Sequence, residues 1–131
     1  MATGSLVFDS WALLAMAQNG PAARKVQALI EVAHQRWATT VNLGEVWYSL
    51  ARRRSEMAAE IWVTDLVVSA GFQVAPADWT LTREAARLKA SYTLSYADCF
   101  AAALARRENA SLVTGDREFR PLRGEVSIRW L

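Results

Sequence analysis

The sequence predicts an α/β fold, a central and mainly parallel sheet of about five short strands flanked by helices on both faces. Brief β-leaning runs such as Leu6-Val7-Phe8 and Ser111 to Thr114 recur along the chain. Between them lie stretches whose apolar residues return at three-and-four spacing, the period of an amphipathic helix. Strands that alternate with helices call for parallel pairing, because each crossover lays a helix on a sheet face. The 131 residues, 53% of them hydrophobic, match one domain with one core, expected over residues 1–131.

Leu6 to Phe8 reads as the first strand, ending at Asp9, and Trp11, Leu13, Leu14 and Ala15 suit a helix that Gly20-Pro21 closes. From Ala22 to about His34, Val26, Leu29, Ile30 and Ala33 share one helical face. Trp37 to Val41 leans toward strand, and Asn42 is a capping candidate for a helix running to Arg52-Arg53-Arg54. A further helix covers about Ser55 to Ala70, stopped by Gly71. Its apolar residues, Ile61 to Val63 and Leu66 to Val68, exceed what one face needs, which predicts packing on two sides. Phe72 to Ala75 is a strand, Asp78 caps a helix from Trp79 to about Tyr92, and Ser95 caps another to about Glu108. Ser111 to Thr114 and Val126 to Trp130 complete the strands.

Composition narrows the function classes. Cys99 is the only cysteine, so no disulfide, zinc ribbon or redox pair can be drawn within the chain. No apolar run approaches the roughly 20 residues needed to cross a bilayer, and no basic leader precedes an apolar stretch. A cytoplasmic protein with no membrane partner is expected. A net charge of +2 and a pI near 9.0 permit a nucleic-acid partner without indicating one.

Four acids stand out by position. In a parallel sheet, the carboxyl ends of the strands and the amino ends of the following helices share one edge, where such folds bind ligands. Asp9 and Asp116 follow strands there, and Glu45 and Asp98 are expected in the first turn of helices, each three residues after a capping candidate, Asn42 and Ser95. Each also has an ordinary reading. Asn42-x-x-Glu45 and Ser95-x-x-Asp98 resemble capping boxes, Asp9 suits a cap, and Gly115-Asp116 suits a turn. The conjunction argues further, because carboxylates converging on one edge repel unless a cation neutralises them. All-oxygen ligation suits magnesium or manganese, and the lack of clustered His and Cys argues against zinc. Such an ion supports phosphodiester hydrolysis without a protein nucleophile. His34, placed on a polar helix, and Cys99 are read as structural. Trp11 stands where an Asp-x-Asp phosphatase would need its second acid, and no P-loop or dinucleotide fingerprint is present.

The segments Val7-Phe8-Asp9-Ser10, Asn42-Leu43-Gly44-Glu45-Val46, Leu94-Ser95-Tyr96-Ala97-Asp98 and Leu112 through Phe119 resemble, in order and spacing, the signature blocks of PIN-domain nucleases. Chain length and intervening helices are similar to the VapC toxins of type II toxin-antitoxin pairs. The resemblance implies a PIN-like fold and magnesium- or manganese-dependent endonucleolytic cutting of structured RNA, transfer or ribosomal, leaving a 5′-phosphate and a 3′-hydroxyl. It implies metal binding by Asp9, Glu45, Asp98 and Asp116, with Ser10 and Thr114 steadying the acids. It also implies a homodimer and a VapB-type antitoxin whose tail covers the acidic pocket. Trp11 departs from the smaller residue common after Asp-Ser.

Arg117 and Arg120, close to Asp116, are expected to contact RNA phosphates, whereas Arg52 to Arg54 also suit a solvated helix end. Of the six tryptophans, Trp11, Trp47 and Trp62 are candidates to face a partner. Two other readings stay open: a PIN nuclease of RNA maturation or decay without an antitoxin, and a PIN-like scaffold that binds RNA or protein without cutting.

Overall fold

A computed structural model describes residues 4–131; the first three residues of the domain expected over 1–131 lie outside the described residues. Among the described residues, five strands, β1 (Ser5–Phe8), β2 (Gln35–Thr39), β3 (Gln73–Ala75), β4 (Ser111–Thr114) and β5 (Ile128–Trp130), form one sheet in the order β3-β2-β1-β4-β5. Every pairing is parallel. Among the described residues, six helices connect them: α1 (Ser10–Ala17), α2 (Ala23–Val32), α3 (Thr40–Arg53), α4 (Glu56–Val68), α5 (Trp79–Ser91) and α6 (Tyr96–Arg107). A 3-10 helix, Arg117–Leu122, comes after β4.

The inner strands β1 and β4 are buried on both faces, which suits their apolar runs, whereas β2, β3 and β5 are partly exposed. Alternation splits them: Leu6, Phe8 and Val113 pack with α1 to α4, while Val7 and Leu112 pack with α5 and α6. Cys99 is wholly buried in the second layer, and desolvation pushes its thiol up, consistent with a packing role. Because β1 is central and the chain steps from it toward β2 on one side and β4 on the other, the strand order reverses between β1 and β4. That switch point opens a crevice at the carboxyl ends of the two strands.

Three local expectations need correction. Asn42 does not cap α3. Thr39, the last residue of β2, accepts from the Asn42 N–H over 3.0 Å, and the helix begins at Thr40. The β-branched Thr39-Thr40-Val41 reads as strand, yet the hydroxyl of Thr39 turns the chain at once. Glu45 therefore lies beyond the first turn and has no capping role. His34 is exposed and lies after α2 rather than on it, its N–H donating to the Gly4 carbonyl. The first helix also ends earlier than Gly20-Pro21, with Asn19 at φ 53° beyond it.

Candidate metal centre

Asp9 leaves β1 into the crevice and caps α1. Its Oδ1 accepts from the Ala12 N–H at 2.8 Å and its Oδ2 from the Thr114 hydroxyl at 2.5 Å. Only 1% of the residue is exposed. Burial pushes its carboxyl up to about 7 against these hydrogen bonds, and the charges of Asp98 and Asp116 add to the rise. Thr114 ends β4 and serves both neighbours, since its Oγ1 also accepts from the Asp116 N–H at 3.0 Å.

Asp98 enters on the first turn of α6, where Ser95 accepts its N–H at 3.1 Å. Burial raises its carboxyl to about 6; the Ser95 hydroxyl opposes this, and Asp116, Glu45 and Glu118 add repulsion. Glu45 arrives from α3, its Oε1 accepting from the Ser10 hydroxyl at 2.5 Å. The structure thus brings all four sequence-selected acids to the β1–β4 crevice, with Ser10 bonded to Glu45 and Thr114 bonded to both Asp9 and Asp116.

Two polar residues belong to this arrangement that the sequence did not single out for it. Glu118 closes a triad: one oxygen from each of Asp98, Asp116 and Glu118 lies within 4.8 Å of the others. Its N–H is held by Asp116 Oδ1 at 3.0 Å, so the tight 3-10 turn folds Glu118 back toward its neighbour. The sole sequence signal for it is the Asp116-x-Glu118 spacing after a strand. Asn42 is wholly buried and joins three elements. It takes a 2.6 Å bond from Thr39 to its Oδ1, and donates from Nδ2 to the Ser10 hydroxyl at 3.1 Å and the Ala97 carbonyl at 3.2 Å. Its capping chemistry in the sequence masked this role.

The donor set is all carboxylate, with no histidine or thiolate, and its oxygens converge although their charges repel. It fits a hard divalent cation. Beside it, Arg117 and Arg120 line a cavity of about 630 Å³ together with Lys89, Ser95 and Glu118. Arg117 is steadied by the Trp130 ring, 4.9 Å from its guanidinium. Trp11 is 41% exposed next to the site, whereas Trp47 is half-buried and donates to Glu60, and Trp62 is half-buried; Trp79 is the most exposed at 68%.

The fold is similar to that of several solved structures. One is VapC20 from Mycobacterium tuberculosis, described as a Sarcin-Ricin loop cleaving toxin, with a TM-score of 0.77 and 19% identity over 95% of this chain and 98% of that one. Another is VapBC2 from Rickettsia felis bound to a promoter DNA fragment, with a TM-score of 0.73 and 15% identity over 97% and 98%. A third is a toxin-antitoxin complex from Klebsiella pneumoniae, with a TM-score of 0.72 and 19% identity over 95% of each chain. Comparison with curated proteins gives no match. The family model for the PIN domain matches residues 6–125, nearly the whole chain, and covers all the acids gathered at the β1–β4 crevice: this chain belongs to the PIN domain family.

Proposed function

We propose that this chain is a metal-dependent endoribonuclease, the toxin of a VapBC-type pair. The observation that carries the reading is the convergence of Asp9, Glu45, Asp98 and Asp116 at the switch point of a PIN domain. These four carboxylates, joined by Glu118, would hold magnesium or manganese. When bound, such an ion supplies Lewis acidity toward a phosphodiester and lowers the pKa of water. The chain's own residues do the rest. Thr114 and the Ala12 N–H aim Asp9, the Asn42–Ser10 pair aims Glu45, and the α6 start fixes Asp98. Arg117 and Arg120 stand beside the acids to receive phosphates of the RNA strand.

Assignment to a toxin rests on likeness to VapC20 and to the toxin-antitoxin complexes. An antitoxin and a second copy of the chain both need surface. Helix α4 would supply it: Met57, Ile61 and Val68 are exposed at 74%, 57% and 74%. The test is incubation of total bacterial RNA with purified protein and manganese, beside EDTA and Asp98→Asn. Discrete fragments ending in 5′-phosphate, lost in both controls, are expected. Intact RNA under every metal condition would reject the nuclease.

A further inference from the structure

A groove lies between α1 and α3, the helices that follow Asp9 and carry Glu45. On α1, Trp11, Leu14 and Gln18 recur at three-and-four spacing along one wall of a cavity of about 800 Å³. Ser49 and Arg53 of α3 and Lys25 of α2 line it as well. Both walls belong to elements that also position site acids. Trp11 lies two residues after Asp9, and Ser49 lies one helical turn beyond Glu45.

Trp11 is the fixed point of this groove. A Cβ placed on Gly115 would lie 2.3 Å from its Cη2 and 2.4 Å from its Cζ3, so the indole edge occupies the space a side chain there would need. The ring is thereby held against the turn that delivers Asp116, yet 41% of the residue stays exposed. A rigid, solvent-open indole at the edge of a phosphodiester-cutting site is suited to stack an unpaired base. Charge agrees: among the described residues, Lys25 and Arg53 are the only charged side chains along the groove, and both are cationic. The Lys25 ammonium spends one donor on the Trp130 carbonyl at 3.1 Å, leaving others for phosphate.

We propose that Trp11 is the stacking platform for the unpaired base next to the cut phosphate, and that Lys25 and Arg53 take the backbone phosphates further along. This rests on the ribonuclease reading and names the substrate's path across it. The strand runs from the acids over the indole and along α1.

The test measures binding of a fluorescein-labelled single-stranded RNA by anisotropy in EDTA, and steady-state cleavage with manganese, for wild type, Trp11→Leu, Trp11→Phe and Arg53→Gln. Leucine keeps an apolar side chain at this position but offers no ring on which a base can stack. Trp11→Leu is expected to raise Kd and KM roughly tenfold, with a smaller loss in kcat, and Trp11→Phe to recover most of it. Arg53→Gln is expected to reduce the salt dependence of binding by about 0.7 in the log–log slope. If wild type cuts and Trp11→Leu binds and cuts equally well, the platform is wrong and the nuclease stands. Loss of only a co-purifying partner protein in Trp11→Leu would give the groove to protein and overturn the proposal. RNA binding that depends on Trp11 without any cutting by wild type would keep the platform and sink the nuclease; absence of both overturns both.

Discussion

Thr114 donates to Asp9 Oδ2 over 2.5 Å while its oxygen accepts from the Asp116 N–H, so one hydroxyl ties the acid after β1 to the acid after β4. Position 114 is wholly buried, so no water can replace that donor. Thr114→Val keeps the shape and removes the bond, leaving a buried carboxylate short of one partner. The expected result is a loss of about 1–3 kcal/mol in stability at pH 8, read by denaturant unfolding. Manganese affinity is expected to fall about 10- to 100-fold, read by calorimetry. Unchanged affinity would show that Thr114 does not position Asp9.

Asp9 at about 7 and Asp98 at about 6 both lie above the ordinary 3.8. Between 3.8 and about 7 the folded chain therefore holds protons that the unfolded chain has released. Metal-free stability is greatest at the acid end of that window and is lost as pH rises through the two folded values. The melting temperature of EDTA-treated protein is expected to fall from about pH 5 to about pH 8. Asp98→Asn should flatten the fall and melt above wild type at pH 8, while losing nuclease activity. A melting temperature that rises across the interval contradicts the site's electrostatics.

Gly115 is required by Trp11 rather than by its own backbone, since its φ is not in the left-handed region. Gly115→Ala should destabilise by about 1–3 kcal/mol through overlap with the indole. Adding Trp11→Ala should return most of that, giving a coupling of about 1 kcal/mol or more in a double-mutant cycle. Additive effects would mean that the two residues do not touch.

Asn42 makes its side-chain bonds to β2, α1 and α6 from a fully buried position. Asn42→Leu leaves the Ser10 and Thr39 hydroxyls and the Ala97 carbonyl with fewer partners. Stability should drop by about 1–3 kcal/mol, and kcat should fall because Ser10 no longer aims Glu45. An Asn42→Leu protein with wild-type kcat would detach this network from the site.

The parallel sheet was legible because β1 and β4 are short apolar runs and the elements are bounded by cap residues: Asp9 after β1, Asp78 before α5 and Ser95 before α6 all act as read. Asp9 and Asp116 could be placed because, in a parallel sheet, a residue directly after a strand lies at the carboxyl edge whatever its side chain. The start of α3 was not legible, since Thr39-Thr40-Val41 has strand propensity and Asn42 is itself a strong capping residue; tertiary burial decided for Thr39. Glu118 escaped because its approach to Asp98 and Asp116 depends on a 3-10 turn that spacing alone does not specify. Trp11 looked like a departure in the sequence, and only its contact with Gly115 shows how it is accommodated.

The nuclease reading stands or falls on whether the acids at the β1–β4 crevice bind a divalent cation. Calorimetric titration of EDTA-stripped protein with manganese at about pH 8, for wild type beside Asp98→Asn, answers this without relying on any RNA substrate. Saturable binding by wild type is expected, weakening as pH falls through about 7, where protons compete for Asp9, and collapsing in Asp98→Asn. No heat of binding to wild type, or equal affinity in Asp98→Asn, would contradict it.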